Sequence, residues 1–393
     1  KELYSYQADK LYRPASIEKV ITAVTALDVL GKDFQFQTTL SYDGVVEKGI
    51  LKGNLYVKGG FDPEFMELDM DFLVRAVKEA GIQAISGKLV GDVSLMDSIY
   101  WGEGWSWDDT PEAFQPYLSP LMLNRGCVDI KVSPSSKGKV GVVEIIPESD
   151  YYQLNNRSIS LHPEAGKLKI TRDWLTNGNT IDVSGSVSSV RKRTLNLYDS
   201  KQFFMDTFCY KLKKEGLSVS KDSIFFLTTP DTVQWIYTCR RPVEAVLKRA
   251  LKESDNLSAE ALFRQLGRMN GKHTSHISFK DCQGVVEGFM RNTLGYDSEN
   301  YQIVDGSGVS LYNYVSPRLV LAYLNYAYRH PSLFRVFYDC LPVAGVDGTL
   351  QGRMRTGKAF RNVRAKTGTV TGISSLAGYL TSVNGHKISF VII

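Results

Sequence analysis

Apolar residues recur at helical spacing through Val20, Ile21, Val24 and Leu27, directly after Pro14-Ala15-Ser16-Ile17-Glu18-Lys19. The pattern predicts a helix that opens near Pro14, where a missing N–H costs little, and stops at Gly31. Upstream, Leu3-Tyr4-Ser5-Tyr6 is a candidate strand. Downstream, residues 34–42 and 51–58 read as two strands, and Gly59-Gly60-Phe61-Asp62-Pro63 breaks the pattern. A helix is expected over 70–80 and a strand over 87–95. The loop from Gly102 to Asp109 follows, and it carries Trp105 and Trp107.

Residues 141–190 alternate in strand fashion, as in Lys167-Leu168-Lys169-Ile170-Thr171. A helix over 200–215 can bury Phe203, Phe204, Phe208 and Leu212, and short strands are expected over 225–228 and 233–237. At Arg241-Pro242 the texture turns helical and stays so to about residue 340. One interruption stands out at Ser254-Asp255-Asn256, three residues that favour caps and turns over helix interiors. The chain closes with strands over 363–370, 375–383 and 387–393, the last two joined by the hairpin signal Asn384-Gly385.

A chain of 393 residues is too long for one ordinary core, so two or three domains are expected. Its 43% hydrophobic and 23% charged residues are those of a globular protein. The net charge of +5 is mild, and Lys and Arg are scattered, so nucleic acid is not an expected partner. Five cysteines, Cys127, Cys209, Cys239, Cys282 and Cys340, form no C-x-x-C pair, and an odd count argues against a full disulfide framework. The five histidines, His162, His273, His276, His330 and His386, include no H-E-x-x-H. Metal hydrolysis and a Ser-His-Asp triad are both poorly supplied, and no metal or cofactor is implied. No apolar run reaches membrane-spanning length. No signal peptide is visible ahead of Lys1, which is compatible with a processed terminus.

Candidate chemistry starts at Ser16 and Lys19, three residues apart and therefore neighbours on a helix. A serine hydroxyl beside a lysine amine is a nucleophile with its base in reach, near the positive end of the helix. The pair alone says little, since Ser-x-x-Lys also occurs at Ser136/Lys139, Ser189/Lys192 and Ser218/Lys221. It gains meaning from order: Ser16-x-x-Lys19 opens a helix, Ser254-Asp255-Asn256 interrupts helices, and Lys366-Thr367-Gly368 lies on a strand near the end. That succession is the signature of serine acyl-transfer enzymes that react with penicillin.

On these residues the chain resembles the D-alanyl-D-alanine carboxypeptidases of the class C low-molecular-mass penicillin-binding proteins. Asp305-Gly306-Ser307-Gly308, the block Leu341–Leu350, Gly104–Asp109 and Ser375–Tyr379 carry the likeness further. The resemblance implies an α/β (α+β) catalytic domain, an antiparallel sheet flanked by helices, with β-rich inserts. Residues 1–60 and 240–393 would form the catalytic domain, 61–140 and 191–239 an inserted domain, and 141–190 a second insert nested in it. β-Lactamases of similar motif order lack room for about 180 extra residues between the first two motifs.

The resemblance also implies the roles. Ser16 would attack the penultimate D-alanine carbonyl and Lys19, kept neutral by the nearby cation Lys366 and by partial burial, would take its proton. Ser254 would relay a proton to the leaving amine, and Asn256 would hold the substrate amide and Lys19. Lys366, Thr367 and Thr369 would bind the terminal carboxylate, and Gly368 would let the strand approach the substrate. The backbone N–H groups of Ser16 and Thr369 would form the oxyanion hole. The implied partners are peptidoglycan stem peptides and β-lactams, with carboxypeptidase and D,D-endopeptidase activity in a bacterial periplasm or envelope. Leu311 stands where the family usually carries arginine, which leaves the stem-peptide preference open. Asp108 and Asp109 are candidates to meet a cationic peptide amine. The rival readings are a β-lactamase or esterase with fast deacylation, and a non-catalytic wall-binding protein.

Overall fold

The computed structural model describes residues 1–270 and 275–393, so His273 lies outside it. The chain forms two compact units. The first comprises Lys1–Phe36, Met96–Ser106 and Arg241–Ile393, the second Gln37–Leu95 and Trp107–Arg240.

The helices of the first unit are α1 (Glu18–Leu30), α2 (Val243–Lys252), α3 (Asn256–Gly267), α4 (Phe279–Phe289), α5 (Pro317–Arg329) and α6 (Pro331–Cys340). Its sheet has three antiparallel strands, β1 (Arg364–Val370), β2 (Ile373–Thr381) and β3 (Lys387–Ile392), with β2 in the middle. Every residue of α1 from Glu18 to Leu27 is buried, which makes it the central helix of this unit. It packs against α3, α5 and α6. Gly31 ends it at a φ of +82°, a conformation that favours glycine. Helix α5 lies on β3, and the buried Tyr379 hydroxyl on β2 donates to Leu324 O of α5 at 2.7 Å. Gly385, at a φ of +79°, turns β2 into β3 where Asn384-Gly385 predicts a hairpin.

The second unit is built on a five-stranded sheet. Its strands run in the order Ile224–Phe226, Leu89–Asp92, Leu55–Lys58, Gln35–Tyr42, Gln234–Pro242. Helices Glu67–Glu79 and Ser200–Lys214 pack on each other, and Phe203, Phe204, Phe208 and Leu212 enter one core with Phe65 and Leu73. Three further three-stranded sheets come from Cys127–Ser133, Val142–Ile146 and Arg191–Asn196, from Gln153–Ser160, Lys169–Arg172 and Thr180–Val187, and from Val45–Glu47, Ile50–Lys52 and Ala84–Ile85. All five cysteines are buried.

The structure departs from the sequence-based expectations in four places. Leu3–Tyr6 is not a strand; Leu3, Tyr4 and Tyr6 are exposed, and this segment enters no sheet of the described residues. Residues 51–58 are two strands in different sheets, because Gly53 sits against the Asp43 carbonyl and separates Ile50–Lys52 from Leu55–Lys58. The expected catalytic boundary at residue 60 gives way to one at Phe36, since Leu55–Lys58 pairs with Gln35–Tyr42 and Leu89–Asp92 inside the second unit's sheet. Conversely, Met96–Ser106 returns to the first unit, where the Trp105 indole N–H donates to Asp305 Oδ2 at 2.8 Å. Within the second unit, Gln153–Ser160, Lys169–Arg172 and Thr180–Val187 form a sheet of their own.

Candidate active site

Ser16 lies on a single 3-10 turn, Ala15–Ile17, and the α-helix begins two residues later at Glu18. The nucleophile candidate therefore sits just ahead of the helix rather than within it. Ala15 takes a φ of +49°, and this kink delivers Ser16 to the head of α1. Ser16 is partly exposed, whereas Lys19 is buried.

Lys19 Nζ makes three short contacts, to Ser16 Oγ at 2.9 Å, Asn256 Oδ1 at 2.7 Å and the Ser307 carbonyl at 2.7 Å. The last two partners only accept. A neutral amine has two N–H groups and one lone pair, so when both N–H groups go to those acceptors the lone pair faces Ser16. That is the arrangement a base needs to take the hydroxyl proton. Burial drives the Lys19 pKa down to about 8, against the pull of Asp305, Glu260, Asp255 and Glu18, which favour the charged form. Burial, not the expected second cation, is what brings the Lys19 amine down toward neutral pH. Lys366 is itself pushed well below the ordinary lysine value by burial, with Lys19 a further cause.

Helix α3 positions the second group. Asp255 caps it, its side chain accepting from Ser258 N at 2.7 Å, and Asn256 is its first residue. Ser254, just outside, adopts a φ of +59°, a sparsely populated conformation for serine that costs about 1–3 kcal/mol. Its hydroxyl accepts from Lys366 Nζ at 2.7 Å, and Lys366 also donates to the Thr367 carbonyl at 2.6 Å.

Strand β1 supplies the third group. Thr367 is hydrogen-bonded to Thr349, hydroxyl to hydroxyl, at 2.8 Å, and Thr369 is exposed. Gly368 is there because nothing larger fits. A Cβ at this position would lie 2.1 Å from Ser375 Oγ, 2.8 Å from the Pro14 carbonyl and 3.0 Å from the Ser16 amide nitrogen. Ser375 on β2 donates to that same Pro14 carbonyl at 2.8 Å and so ties the Ser16 turn to the sheet. The three motifs thus close on one another: Lys19 meets Ser16 and Asn256, Ser254 meets Lys366, and Gly368 abuts Ser16.

Several residues have parts in the site that the sequence did not assign to them. Asp305 is the hub of a buried loop, with Oδ1 accepting from Gly308 N at 2.8 Å and Asn313 Nδ2 at 2.7 Å. Its Oδ2 accepts from Ser310 N at 2.7 Å, besides the Trp105 indole. Ser307 contributes a main-chain carbonyl, which carries no side-chain signature. Glu260 stands one helical turn after Asn256, so helical spacing alone puts the two on one face. Trp105 is buried and meets Trp101 edge to face at 5.5 Å, whereas Trp107, Asp108 and Asp109 lie in the second unit. Leu311 is exposed, its N–H bonded to the Gly104 carbonyl at 3.2 Å.

The whole chain, residues 1–393, matches the D-Ala-D-Ala carboxypeptidase 3 (S13) family. It is 28% identical over 396 residues to the "D-alanyl-D-alanine carboxypeptidase DacB" of Haemophilus influenzae, covering 98% of this chain and 81% of that protein. Among solved structures it is similar to penicillin binding protein 4 (dacB) from Haemophilus influenzae, with a TM-score of 0.85 and 27% identity over 99% of this chain and 86% of that one. The same protein complexed with a novel β-lactam aligns at a TM-score of 0.78 with 25% identity, over 99% of this chain and 86% of that one.

Proposed function

Because the chain belongs to the D-Ala-D-Ala carboxypeptidase 3 (S13) family, we propose that Ser16 is its nucleophile and Lys19 the base that activates it. The contact of Lys19 with Ser16, with its two other partners both acceptors, carries this reading. Ser16 Oγ attacks the carbonyl carbon of the penultimate D-alanine of a peptidoglycan stem peptide, and its proton passes to Lys19 Nζ. The oxyanion meets the backbone N–H groups of Ser16 and Thr369, a stabilisation worth about 2.7–4 kcal/mol per donor. Collapse breaks the C–N bond, and the departing D-alanine amine takes a proton through the Ser254 hydroxyl. Water then hydrolyses the ester at Ser16.

Lys366, Thr367 and Thr369 hold the terminal carboxylate of the substrate. Burial disfavours the charged form of the Lys366 amine, and a bound carboxylate favours it. Asn256 holds both the substrate amide and Lys19. A β-lactam, whose strained amide mimics the scissile bond, acylates the same serine; the β-lactam complex of the Haemophilus influenzae relative supports this. The same acyl transfer on a cross-linked stem is a D,D-endopeptidase reaction. A substrate of this class places the enzyme in the cell envelope, on the periplasmic side.

The test is release of free D-alanine from a stem pentapeptide ending in D-Ala-D-Ala. Wild type releases it; Ser16→Ala lowers the rate by about 10³-fold or more, as expected for loss of a nucleophile. An unchanged rate in Ser16→Ala refutes the assignment.

A further inference from the structure

Around Lys19, three buried carboxyls lie among α1, α3 and the Asp305 loop. Glu18 and Glu260 are essentially inaccessible, as is Asp305. Asp305 is fully engaged with the loop it organises. Glu18 has neither carboxyl oxygen hydrogen-bonded. Glu260 differs from both. Its carboxyl accepts from the Gly306 amide, Oε1 at 3.1 Å and Oε2 at 3.3 Å. The neighbouring Gly306 carbonyl accepts from Thr22 Oγ1 at 2.7 Å, and the next carbonyl, that of Ser307, accepts from Lys19 Nζ. One dipeptide is therefore held by Glu260 of α3 at its front, by Thr22 of α1 in its middle, and presents its last oxygen to the amine.

Space enforces the arrangement. A Cβ on Gly306 would lie 2.4 Å from Phe263 Cβ and 2.8 Å from the Ala259 carbonyl, so this backbone lies directly on α3 where Glu260 reaches it. Asn256, the other acceptor for Lys19, stands one turn earlier on the same helix. Both partners of the amine other than Ser16 thus trace back to α3, one directly and one through Glu260.

We propose that Glu260 is a positioning residue for Lys19: by gripping the Gly306 amide it fixes the Ser307 carbonyl, and so aims the amine lone pair at Ser16. The inference rests on the reading of Ser16 and Lys19 given above. The groups that face Glu260 are Asp305 and Ser307 from the loop, Lys19 and Glu18 from α1, Arg264 from its own helix and Cys282 from α4. Burial, then Asp305, pushes the Glu260 carboxyl up to about 8, the same range as Lys19. Two groups so close in position and in proton affinity titrate as a pair. When Glu260 ionises it draws the proton onto Lys19, and the base is lost until the pair gives up its second proton. The sign follows: removing the Glu260 charge while keeping an acceptor lowers the pH at which Lys19 becomes free.

The experiment measures the second-order rate of acylation by a fluorescent penicillin from pH 5 to pH 10, for wild type, Glu260→Gln and Glu260→Ala. Intact mass and peptide mapping of the product locate the adduct. Glutamine can still accept from the Gly306 amide, so Glu260→Gln is expected to keep the high-pH plateau within about threefold of wild type, and its acid limb to move to lower pH. Glu260→Ala frees the dipeptide and is expected to lower the plateau by about 10–100-fold, the scale at which misplacing a reacting group is felt. If Glu260→Ala does not fold, the acid limb of Glu260→Gln decides alone. An unmoved acid limb in Glu260→Gln, or an unchanged plateau in a folded Glu260→Ala, overturns the inference while leaving Ser16 as nucleophile. A wild-type adduct that does not map to Ser16 fails the underlying reading instead.

Discussion

Lys19 shows how a side chain acquires a role its type does not guarantee. In water a lysine amine is charged, and four acids around Lys19 would keep it so; burial outweighs them and brings it down to about 8. What the amine does then depends on where its two hydrogens go, and Asn256 and Ser307 take both. Gly368 has the complementary role of keeping space free. Gly368→Ala is expected to push β1 off the Ser16 turn, because the new methyl would meet the Pro14 carbonyl and the Ser16 amide. If that amide is an oxyanion donor, acylation should fall by about 10²–10³-fold with little change in the far-ultraviolet dichroism. Wild-type acylation in Gly368→Ala would separate this strand from the reaction. Of the residues at the site, Ser16, Lys19, Ser254, Asn256, Lys366 and Gly368 were legible in the sequence because their side chains, or the lack of one, carry the chemistry. The part played by Ser307 was not, because what it offers is a carbonyl that every residue has. Glu260 could have been found from its spacing to Asn256, but only once Asn256 was known to face inward.

Among the elements, the break between α2 and α3 does most to shape the site. Ser254 takes a left-handed turn, Asp255 caps the next helix and Asn256 starts it, so three consecutive residues perform three tasks. Asp255→Ala removes the cap and is expected to cost about 1 kcal/mol. It should lower the melting temperature by about 2–4 °C and slow acylation through the misplaced Asn256. Asp255→Asn, which still caps, should recover most of both losses; equal losses in the two variants would show that capping is not what Asp255 provides. The cap was visible in the sequence because Ser-Asp-Asn disfavours helix interiors. The 3-10 turn at Ser16 was not, since the apolar spacing from Val20 onward says where a helix is buried but not where its first turn tightens. Leu3–Tyr6 misled for a related reason. Aromatic and apolar residues suit a strand only if a neighbouring strand is there to pair with, and here Leu3, Tyr4 and Tyr6 face solvent.

At the scale of the molecule, the chain leaves the first unit at Phe36, re-enters for Met96–Ser106, and returns for good at Arg241. A site made of residues 16, 254 and 366 therefore needs the intervening chain to fold without disturbing the junctions. The order of the motifs was readable, and so was the need for a large insert. The exact junctions were not, because sheet membership decides them: Leu55–Lys58 reads like any strand until Leu89–Asp92 and Gln35–Tyr42 are found beside it. Trp105 and Trp107, two residues apart, belong to different units, a division that their shared tryptophan-rich loop conceals.

Convergence of the three motifs on one reactive hydroxyl can be read in a single measurement, the intact mass of the protein after exposure to benzylpenicillin, followed by mapping of the modified peptide. One covalent adduct on the peptide that contains Ser16, absent from Ser16→Ala, is the expected result. An adduct on another peptide, or none in a folded protein, would contradict it.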